Sequence, residues 1–260
     1  MDWLQAIILG IIQGLTEFIP ISSTGHLYLG RNFFGLEEAG NLFLDTMLHL
    51  GTLIALVVFY KDILLKLIKN PFSRITALLV IGTIPAVIAG VLFSDYFDSI
   101  SKSGVTIGWE FLITGAFLWF ADSIKNGAKK VEDISLFDSF FIGSFQAFAI
   151  FPAISRSGMT IVGALMRKMD KEAAAYFSFL LSIPAICGGV IFQLKDIASG
   201  NVPQISLTSM FIATLASAIF GYIAVKFMIS FVKNKSLKLF AVYVWILGVV
   251  IIVLQQMGTF

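Results

Sequence analysis

Six stretches of this chain, at about 41–60, 74–93, 105–121, 172–193, 207–231 and 238–257, are apolar over the length a helix needs to cross a bilayer, which is about 20 residues. So many cannot all be hidden inside one soluble core of 260 residues. The composition agrees: 58% of residues are hydrophobic and 13% charged, against about 45–50% and 25% in soluble domains. The sequence therefore predicts an all-α integral membrane protein built as a single domain over residues 1–260. A net charge of +2 with no dense Lys/Arg patch argues against nucleic acid as a partner. The lone Cys187 leaves no internal disulfide and reads as packing. The opening MDWLQAIILG lacks a basic n-region and a cleavage site, so it is not read as a removable signal.

Two further apolar stretches are interrupted. Residues 3–35 break at Pro20-Ile21-Ser22-Ser23-Thr24-Gly25, and residues 136–168 break at Pro152-Ala153-Ile154-Ser155-Arg156-Ser157-Gly158. Non-helical backbone is tolerated at membrane depth only where protein or a water-filled cavity satisfies it. Each stretch therefore reads as a re-entrant hairpin of two short helices. Basic residues group at Lys61, Lys66, Lys69 and Arg74; at Lys125, Lys129 and Lys130; at Arg167, Lys168 and Lys171; and at Lys233, Lys235 and Lys238. Segment 94–104 instead has one Lys against two Asp, and 194–206 has one Lys. The positive-inside rule puts the four basic segments in the cytoplasm and the other two outside. That assignment requires 136–168 to enter and leave from the cytoplasm. Counting back, the first hairpin and both termini face outward.

The hairpins resemble each other. Gly10, Gln13, Ser22 and Gly25 recur as Gly143, Gln146, Ser155 and Gly158, each 133 positions on, with Pro20 and Pro152 one position out of that register. Each hairpin is followed by three spans, an odd number, so the second half is expected to be inverted in the membrane. Pseudo-repeats of about 1–125 and 133–260 follow. Inverted repeats whose broken helices meet near the midplane are a known way to build a buried polar site.

Polar groups at that depth are costly and mark function. The candidates are Glu17, His26 and Arg156 with the hydroxyls of Ser22, Ser23, Thr24, Ser155, Ser157 and Thr160. Gln13 and Glu17, four apart, share a helical face. Ser22–Thr24 and Ser155–Ser157 precede the returning half-helices, where hydroxyls cap free N–H groups and the positive dipole end attracts phosphate. Arg156 adds a bidentate fork for phosphate oxygens. A nearby carboxylate can ligate a hard cation or act as a base, and a Ser between a His and a Glu can be a nucleophile. The combination suits phosphoryl chemistry on something delivered from the membrane. Simple capping would equally explain Ser22, Thr24 and Ser157, and a structural ion pair would explain Glu17 with Arg156. Asp45 and His49, i to i+4 in a span, form a second pair suited to support by hydrogen bonding as much as to chemistry. Glu110 reads as a helix-end or packing contact.

The stretches QGLTEFIPISSTGH (13–26) and PAISRSGMT (152–160) resemble the two signature regions of the undecaprenyl-diphosphatase, or bacitracin-resistance, family, approximately (E/Q)GLTEFLPVSSTGH and PGxSRSGxT. FLDTMLHLGTLIALVVFY and FSFLLSIP are similar to family segments in matching order, so the resemblance covers essentially the whole chain. It implies a multi-pass enzyme of the plasma (inner) membrane that hydrolyses undecaprenyl diphosphate to the monophosphate, recycling the lipid carrier of cell-wall polymers. It also implies two re-entrant hairpins, a divalent metal (Mg or Ca) and a site opening to the outer face. Carried over by motif, Gln13 and Glu17 fall at the acidic, metal-binding positions and Ser23 at the nucleophile. His26 falls at the catalytic histidine and Arg156 at the diphosphate-binding arginine, while Ser155 and Thr160 match hydroxyls of the second motif. Two positions depart from the pattern. Gln13 stands where some members have Glu, and a neutral amide is a poorer cation ligand. Ala153 replaces a Gly, which would strain the loop if that position required positive φ.

The rival reading is a polyprenyl-phosphate transporter or flippase, because inverted repeats and re-entrant hairpins also serve alternating access. The Ser-x-x-His pair favours an enzyme. The sequence leaves open whether Ser23 attacks, with His26 or Glu17 taking its proton, or water attacks directly with His26 as base, and whether hydrolysis is coupled to return of the lipid. Prenyl length, metal identity, and the choice between monomer and homodimer are also left open, as is whether the hairpin tips touch.

Overall fold

The computed structural model describes residues 1–36, 41–125, 127–198 and 206–258. Most of the 194–206 segment expected on the outer side therefore lies outside the described residues. Within them the chain is all helical: α1 Trp3–Phe18, α2 Ser23–Phe33, α3 Asn41–Phe59, α4 Lys61–Lys69, α5 Arg74–Ser103, α6 Ile107–Ser123, α7 Leu136–Phe148, α8 Arg156–Met166, α9 Lys171–Ala198, α10 Leu207–Asn234 and α11 Lys238–Gln256, with a 3₁₀ turn at Val131–Asp133.

Among the described residues four helices are both long and apolar enough to cross a membrane: α5, over its part Arg74–Phe93, α9, α10 and α11. The chain is a multi-pass membrane protein by that measure, with fewer clear spans than the six expected. The two shortfalls have different causes. α6 has 17 residues, about 26 Å at 1.5 Å rise, short of a hydrocarbon core about 30 Å thick. α3 bends by 80° into α4, and the two make a fifth span only if taken together. The basic stretch 61–69, expected to be a loop, is helical because it is amphipathic. Ile63, Leu64 and Leu67 pack on the core, while Lys61, Lys66 and Lys69 stay exposed. Exposed Leu65, Ile68 and Phe72 suit a helix lying in the membrane interface.

Helix starts recur at the spacing seen in the sequence. Asp2 and Ser135 each open a helix with a capping box, closed by Gln5 and Asp138 respectively. Ser22 and Ser155 cap α2 and α8, and Ser73 and Ser206 cap α5 and α10. Each of these pairs lies 133 positions apart. Packing follows the same order, with α1 laid along α10 and α7 along α5. Gly10 and Gly143 sit at those crossings. A Cβ on Gly10 would stand 2.5 Å from the Ala213 carbonyl oxygen, and one on Gly143 would stand 2.1 Å from that of Gly82. Small residues let helix backbones approach this closely where lipid gives no hydrophobic driving force between helices.

The core gathers the large side chains of α1, α6 and α9: Phe18, Phe111, Phe177 and Phe179 are fully buried. The Phe18 and Phe179 rings meet edge to face at 5.5 Å. Val57, Val87, Val91, Ile223 and Val249 point outward, as side chains solvated by lipid do.

Candidate active site

The two breaks, between α1 and α2 and between α7 and α8, meet tip to tip. The Ser22 hydroxyl donates to the Pro152 carbonyl at 3.4 Å, and a Cβ on Gly25 would come within 3.1 Å of Ala153 Cβ. Beside them lies a cavity of about 240 Å³, walled by Glu17, Ser22, Ser23, Thr24, Ser155 and Arg156, with Thr16 and His49 and with Gln193 from α9. Both returning helices start at this wall. The Ser22 hydroxyl oxygen accepts from the Gly25 N–H at 3.3 Å, and that of Ser155 accepts from Gly158 at 3.1 Å. Two helix N-termini facing one cavity favour an anion there. Ser22 has φ 70°, a left-handed conformation costly for a non-glycine residue and characteristic of functional sites. Ala153 has no such φ, since Ser22 and Lys168 are the positive-φ non-glycine residues among those described. The replacement of Gly there is unstrained.

Glu17 is the hub. Its Oε2 accepts from the Ser23 hydroxyl at 2.5 Å and from Gln13 Nε2 at 3.1 Å, and its Oε1 accepts from Arg156 Nη2. His49 Nε2 stands 3.8 Å from Oε2. Arg156 also donates Nη1 to the Ser182 carbonyl at 3.3 Å, which holds its guanidinium between the hairpin and α9. Glu17 is 6% exposed, so its charge is matched by Arg156 rather than by water. The first hairpin thus supplies hydroxyl and carboxylate, and the second supplies the cation.

Other predicted residues fall elsewhere. His26 does not line the cavity. Its Nδ1 donates to the Ser22 carbonyl at 2.7 Å, and its Nε2 faces the Tyr243 hydroxyl at 2.8 Å. Its ring stacks on Tyr243 and meets Phe111 edge on. Gln13 is fully buried behind Glu17, off the wall. Ser157 and Thr160 are buried between α8 and α9, with Thr160 Oγ1 2.5 Å from Ser178 Oγ. Asp45 and His49 part company: Asp45 pairs with Arg31, while His49 donates Nδ1 to the Asp45 carbonyl at 2.8 Å and turns Nε2 to Glu17.

Sequence reasoning did not single out Thr16 or Gln193, while Glu110, expected as a helix-end or packing contact, is found in that role. This carboxylate, 2% exposed in the first turn of α6, accepts the Ala153 N–H, while Thr114 one turn on accepts the Ser155 N–H at 3.3 Å. α6 therefore holds the backbone that carries Ser155 and Arg156. Tyr243, 133 positions after Glu110, braces the first hairpin through His26.

A hydroxyl hydrogen-bonded to a carboxylate, beside a fixed guanidinium and two helix N-termini, is suited to transfer of a phosphoryl group. The donors also suit a hard divalent cation. Glu17 is the carboxylate on the wall, the Gln13 Oε1 behind it is buried without a hydrogen-bond partner, and Mg commonly takes one or two carboxylates and completes its shell with phosphate and water. Among the described residues no group of three or more His, Cys, Asp or Glu side chains is placed to hold a cation by itself.

Residues 6–250 match the family described as bacitracin resistance protein BacA. The chain is 64% identical over 260 residues, all of both chains, to undecaprenyl-diphosphatase 4 of Bacillus thuringiensis (strain Al Hakam). It is 47% identical, again over all of both chains, to an undecaprenyl-diphosphatase of Carboxydothermus hydrogenoformans. A 38% match to that of Alkaliphilus metalliredigens covers 97% of this chain and 98% of the relative. With nearly its whole length matched and its two signature stretches facing each other across one cavity, the chain belongs to the bacitracin resistance protein BacA family.

Proposed function

We propose that this protein is a membrane phosphatase that hydrolyses undecaprenyl diphosphate to the monophosphate and inorganic phosphate, recycling the lipid carrier and conferring bacitracin resistance. The names of its relatives support the substrate. The observation that carries the chemistry is the Ser23–Glu17–Arg156 chain of contacts across the two hairpins.

The prenyl tail stays in the bilayer and the diphosphate enters the cavity, its charge met by Arg156 and the N-termini of α2 and α8. Positioning and charge neutralisation are most of what phosphoryl transfer needs. Glu17 Oε2 takes the Ser23 proton as Ser23 Oγ attacks the terminal phosphorus. The bond to the bridging oxygen breaks, and the prenyl monophosphate leaves with that electron pair. Water then attacks the phosphoserine, a base takes its proton, and inorganic phosphate departs. Ser23 recovers its proton. His49, near Glu17, is the histidine placed to relay that proton; His26 holds the Ser22–Ser23 turn against α11. A divalent cation held by Glu17 would neutralise further phosphate charge, with Gln13 orienting the carboxylate from behind.

The 133-residue recurrence of caps, crossings and bracing residues supports two repeats of about 1–125 and 133–260, inverted in the membrane, each opening with a re-entrant hairpin. The charge distribution supports a plasma-membrane protein with the cavity open to the outer face. Phosphate release from a long-chain prenyl diphosphate by purified protein in detergent, with Mg, Ca or chelator, tests the activity, because transport has no meaning there. Cation-dependent release is expected. No release from folded protein under any cation would remove the enzyme and favour a transporter.

A further inference from the structure

We infer a second lipid site on the opposite edge of the protein: a groove that binds the phosphodiester of an anionic phospholipid. A cavity of about 420 Å³ is lined by Tyr222, Lys226, Ser230 and Lys233 of α10, with Phe59 at the end of α3 and Glu172 at the start of α9. Tyr222, Lys226, Ser230 and Lys233 lie four, four and three apart, so they stack along one face of the helix. All of these residues lie toward the same edge as the basic stretches 61–74 and 233–238, which the positive-inside rule assigns to the cytoplasm.

Lys226 is the group that needs explaining. It lies eight residues before the last residue of α10, about 12 Å along the helix. Its neighbours Ile219, Tyr222, Ile223 and Phe227 are exposed apolar side chains, so this face meets lipid. Among the described residues Lys226 has no ion pair or hydrogen bond. An ammonium at that depth is expensive unless it reaches an anion or the interface. Lys233 already pairs with Glu172 at 2.9 Å, which leaves the groove one net positive charge. That matches a singly charged phosphodiester better than a doubly charged phosphomonoester. The Ser230 hydroxyl supplies a donor nearer the end of α10, and Phe59 and Tyr222, in edge contact at 5.9 Å, lie on the deeper side of Lys226, where they would flank the glycerol and first acyl carbons. Basic pockets between spans on the cytoplasmic side are where anionic headgroups bind. The site does not touch the Ser23 cavity and does not depend on the phosphatase reading.

Native mass spectrometry of the full chain in detergent, titrated with phosphatidylglycerol, phosphatidylcholine or a polyprenyl monophosphate, tests the assignment. We expect one phosphatidylglycerol to be retained by the wild type and by Lys226→Arg, and bound about tenfold more weakly by Lys226→Gln, with phosphatidylcholine weak throughout. Lys69→Gln, on exposed α4, should bind as the wild type does. Equal retention by Lys226→Gln would overturn the site, as would equal binding of phosphatidylcholine. Tighter binding of the polyprenyl monophosphate, lost in Lys226→Gln, would overturn the phospholipid assignment. Failure of Lys226→Arg to bind would show that charge at this position is not what holds the lipid.

Discussion

Replacing Glu110 separates a brace for the second hairpin from a buried charge with a role of its own. In Glu110→Ala the Ala153 N–H loses its acceptor while staying buried, and an orphaned donor of that kind costs about 1–3 kcal/mol. For a chain of this size that is a fall in Tm of about 2–4 °C per kcal/mol. The tip it releases carries Ser155 and Arg156, and a misplacement of about 1 Å in such groups can cost about 10²-fold in rate. Glu110→Gln keeps a carbonyl oxygen for Ala153 and removes a charge whose burial is costly, so it should match or exceed the wild type in Tm and keep most activity. Thermal melts and initial rates of phosphate release on all three proteins decide it. Unchanged Tm and rate in Glu110→Ala would refute the brace. Equal damage in Glu110→Gln would show that the charge, not the acceptor, matters.

Other perturbations follow from single contacts. Gly143→Ala drives a methyl into the Gly82 carbonyl of α5, an overpacking worth about 1–3 kcal/mol or more. Gly90→Ala, with nothing within 4 Å, should be neutral or slightly stabilising; equal melts for the two would deny the close crossing. Gln13→Glu sets a second carboxylate beside Glu17, and like charges about 4 Å apart repel by roughly 4 kcal/mol at an effective dielectric near 20. Its Tm should drop in chelator and recover with Mg or Ca, whereas a melt indifferent to cation would argue against a cation at Glu17. Asp170, in the loop before α9, is raised by burial, but the Ala173 N–H and Lys130 outweigh this and hold its carboxyl below the usual range. A depressed folded value means that its stabilisation is full above the ordinary aspartate range and lost as pH falls through the folded value. Asp170→Asn should therefore flatten part of the decline in Tm from about pH 5 to pH 3; an unchanged profile would deny that contribution.

The breaks were legible because proline and a polar cluster inside an apolar run leave few alternatives. Their limits moved by about three residues, since Ser23–Gly25 and Arg156–Gly158 enter the returning helices while Ser22 and Ser155 cap them. The recurrence at 133 showed in four matched residues. Asp2 with Ser135, and Ser73 with Ser206, carry it as well. The first pair is hidden because a capping carboxylate and hydroxyl are interchangeable in chemistry but not in letters, the second because a lone serine match outside the two motifs carries no signal. The α4 helix was missed because its lysines read as loop charge, although Ile63, Leu64 and Leu67 fall on one face. In the site, spacing alone could rank neither histidine. His26 is three residues from Ser23, yet a helix turns it toward Tyr243, whereas His49 comes from a helix distant in sequence and faces Glu17. Glu110 and Gln193 carried no local pattern, and only tertiary packing gives them meaning.

The central claim is that Ser23 of one hairpin and Arg156 of the other act as one site. A double-mutant cycle on phosphate release tests it directly. Ser23→Ala should cost about 10³-fold or more and Arg156→Ala about 10²–10³-fold, with the double variant no slower than the slower single, because residues that act as a unit are not additive. Losses that multiply, or wild-type release by Ser23→Ala, would contradict it.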